Sequence, residues 1–205
     1  MKFRPAGPSA LLVEVDSLDQ ARALHAEIAR QRAAGWAPSL LDVIPGACTV
    51  LLDGVPDHGR AARDIRSWTI PPVPAGSRPV TEIHCRYDGP DLPAVAAQWQ
   101  LSVPEAVRLH TSIEHEVAFC GFAPGFPYIA GIGRGREVAR RDSPRSAIPA
   151  GSVALGGEYT GIYPRASPGG WQVIGQTTAV MWDLRRDPAA LLVAGDRVRF
   201  IDVTP

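Results

Sequence analysis

Residues 70–79, IPPVPAGSRP, set four prolines in ten positions and divide the chain into two stretches with separate folding problems. Proline fixes φ and has no N–H to donate, so this run is an extended, semi-rigid connector and not part of a helix or sheet interior. A small N-terminal domain is therefore expected over residues 1–79 and a second domain over 80–205. At 205 residues and 45% hydrophobic composition, the chain has material for a core in each.

The first stretch reads as β-α-β-β-α. Residues 10–15 (ALLVEV) suit a strand. Ser17 opens S-L-D-Q, a capping box in which the Ser oxygen and the Gln20 side chain satisfy donors at a helix start. Leu18, Ala21, Leu24 and Ile28 follow at helical spacing, and Gly35 ends the helix. Two β-rich runs, 40–44 and 48–52, flank a PGA turn, and a weaker helix covers 58–68. The pattern predicts a two-layer α/β sandwich.

The second stretch begins with a strand at 81–87 and a DGPD turn, from which Asp91 caps a helix carrying Leu92, Val95, Ala96 and Trp99. Ser102, Pro104 and Glu105 start another helix, which ends near residues 109–112. Beyond Glu116 only short apolar runs survive between Gly/Pro clusters, at 116–120, 152–155, 171–174, 179–183 and 197–203. Short strands so punctuated make a barrel or a sandwich.

Charge narrows the partners. With 21 basic and 21 acidic residues there is no single-sign field for nucleic acid or an anionic membrane. No apolar run approaches a membrane span, and the N-terminus has too short an apolar core for a secretory signal. Lys2 is the only lysine, so phosphate-loop, Schiff-base and biotin-carrier chemistry have no residue to use. Cys48, Cys85 and Cys120 are odd in number and widely spaced, which argues against a disulfide framework or a zinc site. Buried free thiols in a reducing cytoplasm are the expectation.

Four clusters concentrate the residues that carry chemistry: HTSIEHE (110–116), GFAPGFPY (121–128), RRDSPRSAIPAGS (140–152) and TGIYPRASPGGWQVIGQT (160–177). His110 and Glu114 are four apart; on one helical turn they would share a face and form a general acid/base pair. The alternative is a histidine that satisfies the last carbonyls of a helix. His115 reads as a surface or strand-edge residue, and no third ligand at useful spacing supports a metal. Arg140, Arg141 and Arg145 are either a fork for carboxylate or phosphate, or solvated loop charge. The glycine–aromatic pairs suit pocket walls or barrel-corner packing equally. GFAPGFPY itself is too irregular for a helix or a strand and must be a shaped loop. Ser152 lies in no nucleophile elbow.

In order and spacing, H-x-x-x-E, GFAPGFPY, RR-x-x-PR-x-x-IPAGSV and TGIYP-x-x-SPGGWQVIGQT together resemble the family of 5-oxoprolinase B subunits. That family is also called allophanate hydrolase subunit 1, includes a sporulation-kinase inhibitor, and recurs as a carboxyltransferase subdomain in urea amidolyases. The resemblance is strong from about Tyr87 onward and only general before it. It implies an α+β protein, a small α/β sandwich followed by a cyclophilin-like β-barrel. It implies one component of an ATP-dependent hydrolase that opens 5-oxoproline to glutamate. Such a component is inactive without a second carboxyltransferase-type subunit, the 5-oxoprolinase C subunit (allophanate hydrolase subunit 2). A third component, the A subunit, completes the complex, and ATP is bound by or shared with the partners. The alternatives are a non-catalytic histidine-kinase inhibitor and a urea amidolyase-type subunit. By the same resemblance, the catalytic positions fall on His110 and Glu114. Substrate contacts fall on Arg140, Arg141, Arg145, Phe122, Phe126, Tyr163, Trp171 and Gln172, with no metal. Members commonly carry an aromatic at position 115 and a proline at 139, where this chain has His115 and Ala139.

Overall fold

Leu11 and Val13, alternate residues of β2 (Ala10–Glu14), are fully buried, the sign of a strand covered on one face. The computed structural model describes residues 1–73 and 80–205. It divides into two compact units, Met1–Ala75 and Gly76–Pro205, and the boundary expected at residue 79 lies outside the described residues.

In the first unit, β1 (Lys2–Pro5), β2, β3 (Asp42–Pro45) and β4 (Thr49–Asp53) form an antiparallel sheet in the order β1-β2-β4-β3. Helices α1 (Leu18–Ala33) and α2 (His58–Ser67) supply the second layer, with Leu24, Ile28 and Ile65 in one core with Leu11, Val50 and Leu52. The capping box forms one residue out of register: Gln20 N–H donates to Ser17 Oγ at 3.2 Å, and Gln20 Oε1 accepts from Asp16 N–H at 3.0 Å. The edge strand β1 escapes the sequence reading because three of its four residues are exposed, leaving no apolar alternation to see. Cys48 corrects the buried-thiol expectation: it sits exposed at the β3–β4 turn, whereas Cys85 is buried and Cys120 half-buried, all three free.

The second unit contains β5 (Val80–Cys85), α3 (Leu92–Gln98), α4 (Val103–Ser112), β6 (His115–Cys120), β7 (Pro127–Ala130), β8 (Arg145–Ile148), β9 (Ser152–Gly156), β10 (Tyr159–Ile162), β11 (Ser167–Gly169), β12 (Gln172–Gln176) and β13 (Arg197–Asp202). Seven of these strands make one sheet in the order β12-β9-β10-β7-β6-β13-β5, parallel only at β13–β5. Just past β5 the chain crosses to the far edge: Arg86 and Gln176 exchange backbone hydrogen bonds of 2.8 and 2.9 Å, and Gly89 and Asp91 donate to Ile174 and Val173. The sheet is thereby almost closed into a barrel around Ile83, Val117, Ile129, Leu155, Ile162, Val198 and Phe200. This is the α+β arrangement that the resemblance implied. Strands β7, β8, β10 and β11, each containing or abutting Gly or Pro, were hidden by that punctuation. The strand expected at 179–183 is absent, reduced to one isolated bridge between Trp182 and Ala190.

Candidate functional site

Helix α4 stops at Ser112, before Glu114 is reached, so His110 and Glu114 never share a helical face. The Glu114 carboxylate instead accepts from Arg197, with Arg199 at 3.7 Å, both on β13. His110 is 1% exposed, with Nδ1 2.7 Å from the Tyr87 hydroxyl and Nε2 3.0 Å from Thr160 Oγ1. A neutral imidazole needs one donor and one acceptor, and the two hydroxyls supply them. Burial, then the neighbouring His115, push its pKa well below the usual histidine value, so the ring stays neutral. The expected acid/base pair is therefore not formed.

His115 is not a surface residue either. It is fully buried at the start of β6, and its Nε2–H donates to the His110 carbonyl at 2.8 Å. That carbonyl belongs to the last turn of α4, where no intrahelical partner exists, so the imidazole takes the place of a C-cap.

The arginine cluster converges on a residue the sequence reading had placed elsewhere. Asp91, 5% exposed, makes no capping bond to α3. Its carboxylate accepts two hydrogen bonds from Arg145 (2.8 and 2.9 Å), one from Arg141 (3.0 Å) and one from the Val173 N–H (2.7 Å). Burial opposes ionisation of Asp91, but the Arg145 and Val173 hydrogen bonds and the two guanidinium charges outweigh it and hold its pKa below the ordinary carboxylate value. The Arg145 fork is thus taken by the protein's own carboxylate, whereas Arg141 gives Asp91 a single bond from Nη1 and its buried Nε has no partner among the described residues. Arg140 is different: it is exposed, and no carboxylate partners it among the described residues.

Residues 121–126 of GFAPGFPY are the loop of the β6–β7 hairpin, but Pro127 and Tyr128 already belong to β7, contrary to the expectation that the whole motif is loop; Cys120 faces Pro127 and Phe119 faces Tyr128. Its two phenylalanines part company. Phe122 is 61% exposed and held at φ 66°, a left-handed conformation uncommon for a bulky residue, whereas Phe126 is 2% exposed. Phe126, Tyr163 and Trp171 form a second core with Ile148, Ala154 and Val173. Gly156 and Gly161 make room for the indole: a Cβ at either would stand 2.5 or 2.8 Å from Trp171 ring atoms. Three of the four expected wall aromatics are therefore packed core, which answers the alternative left open between pocket wall and barrel packing. Half-buried Tyr128 stacks on Phe119 at 4.3 Å and meets Phe126 and Trp171 edge-on. Gln172 is half-buried and its Nε2 donates to the Ala139 carbonyl at 3.2 Å.

Sequence reasoning gave Tyr87, Tyr128 and Thr160 no role of their own, although the last two lie within the named clusters, and it read Asp91 in the DGPD turn only as a helix cap. Two concavities in the N-terminal unit, one around His25, Arg32 and Asp42 and one around Trp36 and Asp64, involve none of the four clusters. No helix of the described residues is long and apolar enough to cross a membrane.

The fold is an α/β sandwich unit followed by a near-closed barrel unit that carries the Asp91 clamp and a second, aromatic core. Residues 1–192 match the family model for the carboxyltransferase domain, subdomain C and D, and the chain belongs to that family. Over 113 residues it is 50% identical to the 5-oxoprolinase B subunit of Escherichia coli O157:H7, a match covering 55% of this chain and 52% of that protein. The match thus spans about half the length of this relative. The crystal structure of TTHA0988 superposes with a TM-score of 0.79 at 34% identity, covering 96% of this chain and 41% of that one. The Kluyveromyces lactis urea amidolyase shares the fold alone, with a TM-score of 0.77 at 17% identity over 98% of this chain and 15% of that one.

Proposed function

We propose that this chain is the B-type component of an ATP-dependent 5-oxoprolinase, converting 5-oxoproline, ATP and water to glutamate, ADP and phosphate. The observation that carries the reading is the 50% identity to a 5-oxoprolinase B subunit. On this reading the chain works in the cytoplasm and is inactive until joined by the A-type and C-type components.

The chemistry has a clear division of labour. A five-membered lactam is a stable amide whose hydrolysis needs activation, and on this reading ATP supplies it by phosphorylating the carbonyl oxygen before water opens the ring. With Lys2 its only lysine, the chain has no phosphate-loop lysine, so the nucleotide falls to the partners or to a shared site. What this chain offers on this reading is the exposed Arg140 and the exposed Phe122 of the β6–β7 loop, carried on a packed aromatic core. Its buried histidines, with all-neutral neighbours around His110, are structural on this reading and carry no proton-transfer step.

The test is reconstitution. The purified chain is expected to be inactive on 5-oxoproline with ATP, and the complex with its A-type and C-type components active. Robust turnover by the single chain, or turnover of urea or allophanate in place of 5-oxoproline by the complex, overturns the reading. A histidine kinase co-purifying in place of those components does so as well.

A further inference from the structure

We propose that residues 180–184, on the connection between β12 and β13, are the face on which this chain docks the C-type component, through an apolar contact centred on Trp182. Naming the C-type component as the occupant rests on the 5-oxoprolinase reading; the build of the face does not.

The connection alternates with its apolar side chains outward. Thr177, Ala179, Met181 and Asp183 are buried or half-buried, whereas Thr178, Val180, Trp182 and Leu184 are exposed, the two-residue period of an extended segment. Met181, 2% exposed, enters the barrel core, while Val180, Trp182 and Leu184 are 59%, 40% and 83% exposed. A lone exposed leucine is ordinary. Three large apolar side chains on one face of one short segment belong to a surface that another body covers.

The segment is held in one conformation. Arg186 Nη2 donates to the Val180, Met181 and Ala189 carbonyls at 3.1, 3.4 and 2.9 Å. Asp183 N–H donates to the Ala189 carbonyl and Leu191 N–H to the Met181 carbonyl, both at 2.9 Å. From the β6–β7 loop, Gly125 comes so close that a Cβ on it would stand 2.9 Å from Trp182 Cβ. A segment already ordered loses less entropy when a partner covers it. The ladder bonds fall on residues 181 and 183, and the N–H and carbonyl of Trp182 between them make no hydrogen bond among the described residues. The face thus offers an indole, a residue type enriched among the anchors of protein–protein contacts, beside an open backbone edge.

Charge and chain length select the occupant. Over residues 180–188, Asp183 and Asp187 offset Arg185 and Arg186, and Arg185 Nε and Nη2 hold the two Asp183 carboxylate oxygens at 3.0 and 2.9 Å. With no net charge, the face complements an apolar, uncharged protein surface and neither nucleic acid nor an ionic peptide. The match to TTHA0988 takes in 96% of this chain but 41% of that one, so that polypeptide joins this fold to a larger length of further chain. Where the two are separate chains, a contact surface has to do what the peptide bond does there. On the 5-oxoprolinase reading, the separate chain is the C-type component.

The test is calorimetric titration of the full chain with the purified C-type component, and saturable binding is expected. Trp182→Ala should weaken it at least about thirtyfold, as loss of a central anchor does, and Leu184→Asp at least about tenfold. Leu184 is the more exposed of the two, so its variant decides the matter if Trp182→Ala does not fold. Between about 50 and 500 mM salt the affinity should change less than about threefold, since no exposed ion pair carries it. Leu41→Ser, at an exposed leucine of the first unit, should bind as wild type does. Undiminished affinity in both Trp182→Ala and Leu184→Asp, or an equal loss in Leu41→Ser, overturns the face. A chain that binds itself through these residues and not the C-type component overturns the occupant. A tight complex that leaves 5-oxoproline untouched once the A-type component is added sinks the proposed function and leaves the face standing. An active complex whose affinity ignores both variants does the reverse.

Discussion

Asp91 receives two guanidinium groups and a backbone N–H on a carboxylate that is 5% exposed, and so ties three separate segments together. Removing one side of a fully buried ion pair costs about 3–5 kcal/mol. Because the Arg141 and Arg145 side chains remain 35% and 25% exposed, water takes up part of that loss. Asp91→Asn is expected to cost about 2–3 kcal/mol in urea unfolding, and an unchanged midpoint would show that the clamp carries no stability. The pH sign follows from the depressed carboxyl. Its contribution is complete above the ordinary Asp value of 3.8 and disappears as pH falls through the lower folded value. Arg145→Lys keeps the charge but loses the two-pronged contact, so it should fall between wild type and Asp91→Asn.

The β6–β7 hairpin shows how one element serves both core and surface. Phe126 sits in the aromatic core, and Phe126→Ala is expected to cost about 3–5 kcal/mol. Phe122, 61% exposed on the same loop, should cost less than about 1 kcal/mol when cut to alanine. A left-handed backbone at a phenylalanine is itself unfavourable by about 1–3 kcal/mol, and such strain is a reason to assay Phe122→Ala for activity in the complex. Equal stability losses for the two variants would contradict this division. In β10, Gly161→Ala would bring a Cβ to 2.6 Å from Phe126 Cζ and 2.8 Å from a Trp171 ring carbon. It should destabilise by about 1–3 kcal/mol through overpacking, and thermal unfolding reads this directly. These strands escaped the sequence reading for the same reason that they matter. A glycine that admits a neighbour's ring looks, along the chain, like a turn.

For the whole molecule, the two buried imidazoles make stability depend on pH. His110 lies among Tyr87, Thr160, Phe200 and His115, with no carboxylate among these neighbours to favour protonation. Both histidines are held below the ordinary 6.5, so below that pH the unfolded chain binds protons that the folded chain refuses. Stability should be full above 6.5 and fall as pH drops below it; urea midpoints flat between neutral pH and about pH 5 would show that the rings do not titrate in this way. His115→Gln should reduce the slope. What the sequence by itself determined is what lies within a few residues along the chain: the Ser17 and Ser102 helix starts and the last strand at 197–203. The four motif clusters were legible as well, and with them the family. What only the tertiary structure decided is which residues meet. Asp91 takes partners 54 and 82 positions away, and His110 meets Thr160 across 50. Those pairings come from the closing of the barrel, which brings Asp91 beside β12 and Thr160 inside the sheet. No local periodicity encodes such a meeting, so an apparent helix cap became a clamp and an apparent acid/base pair was separated.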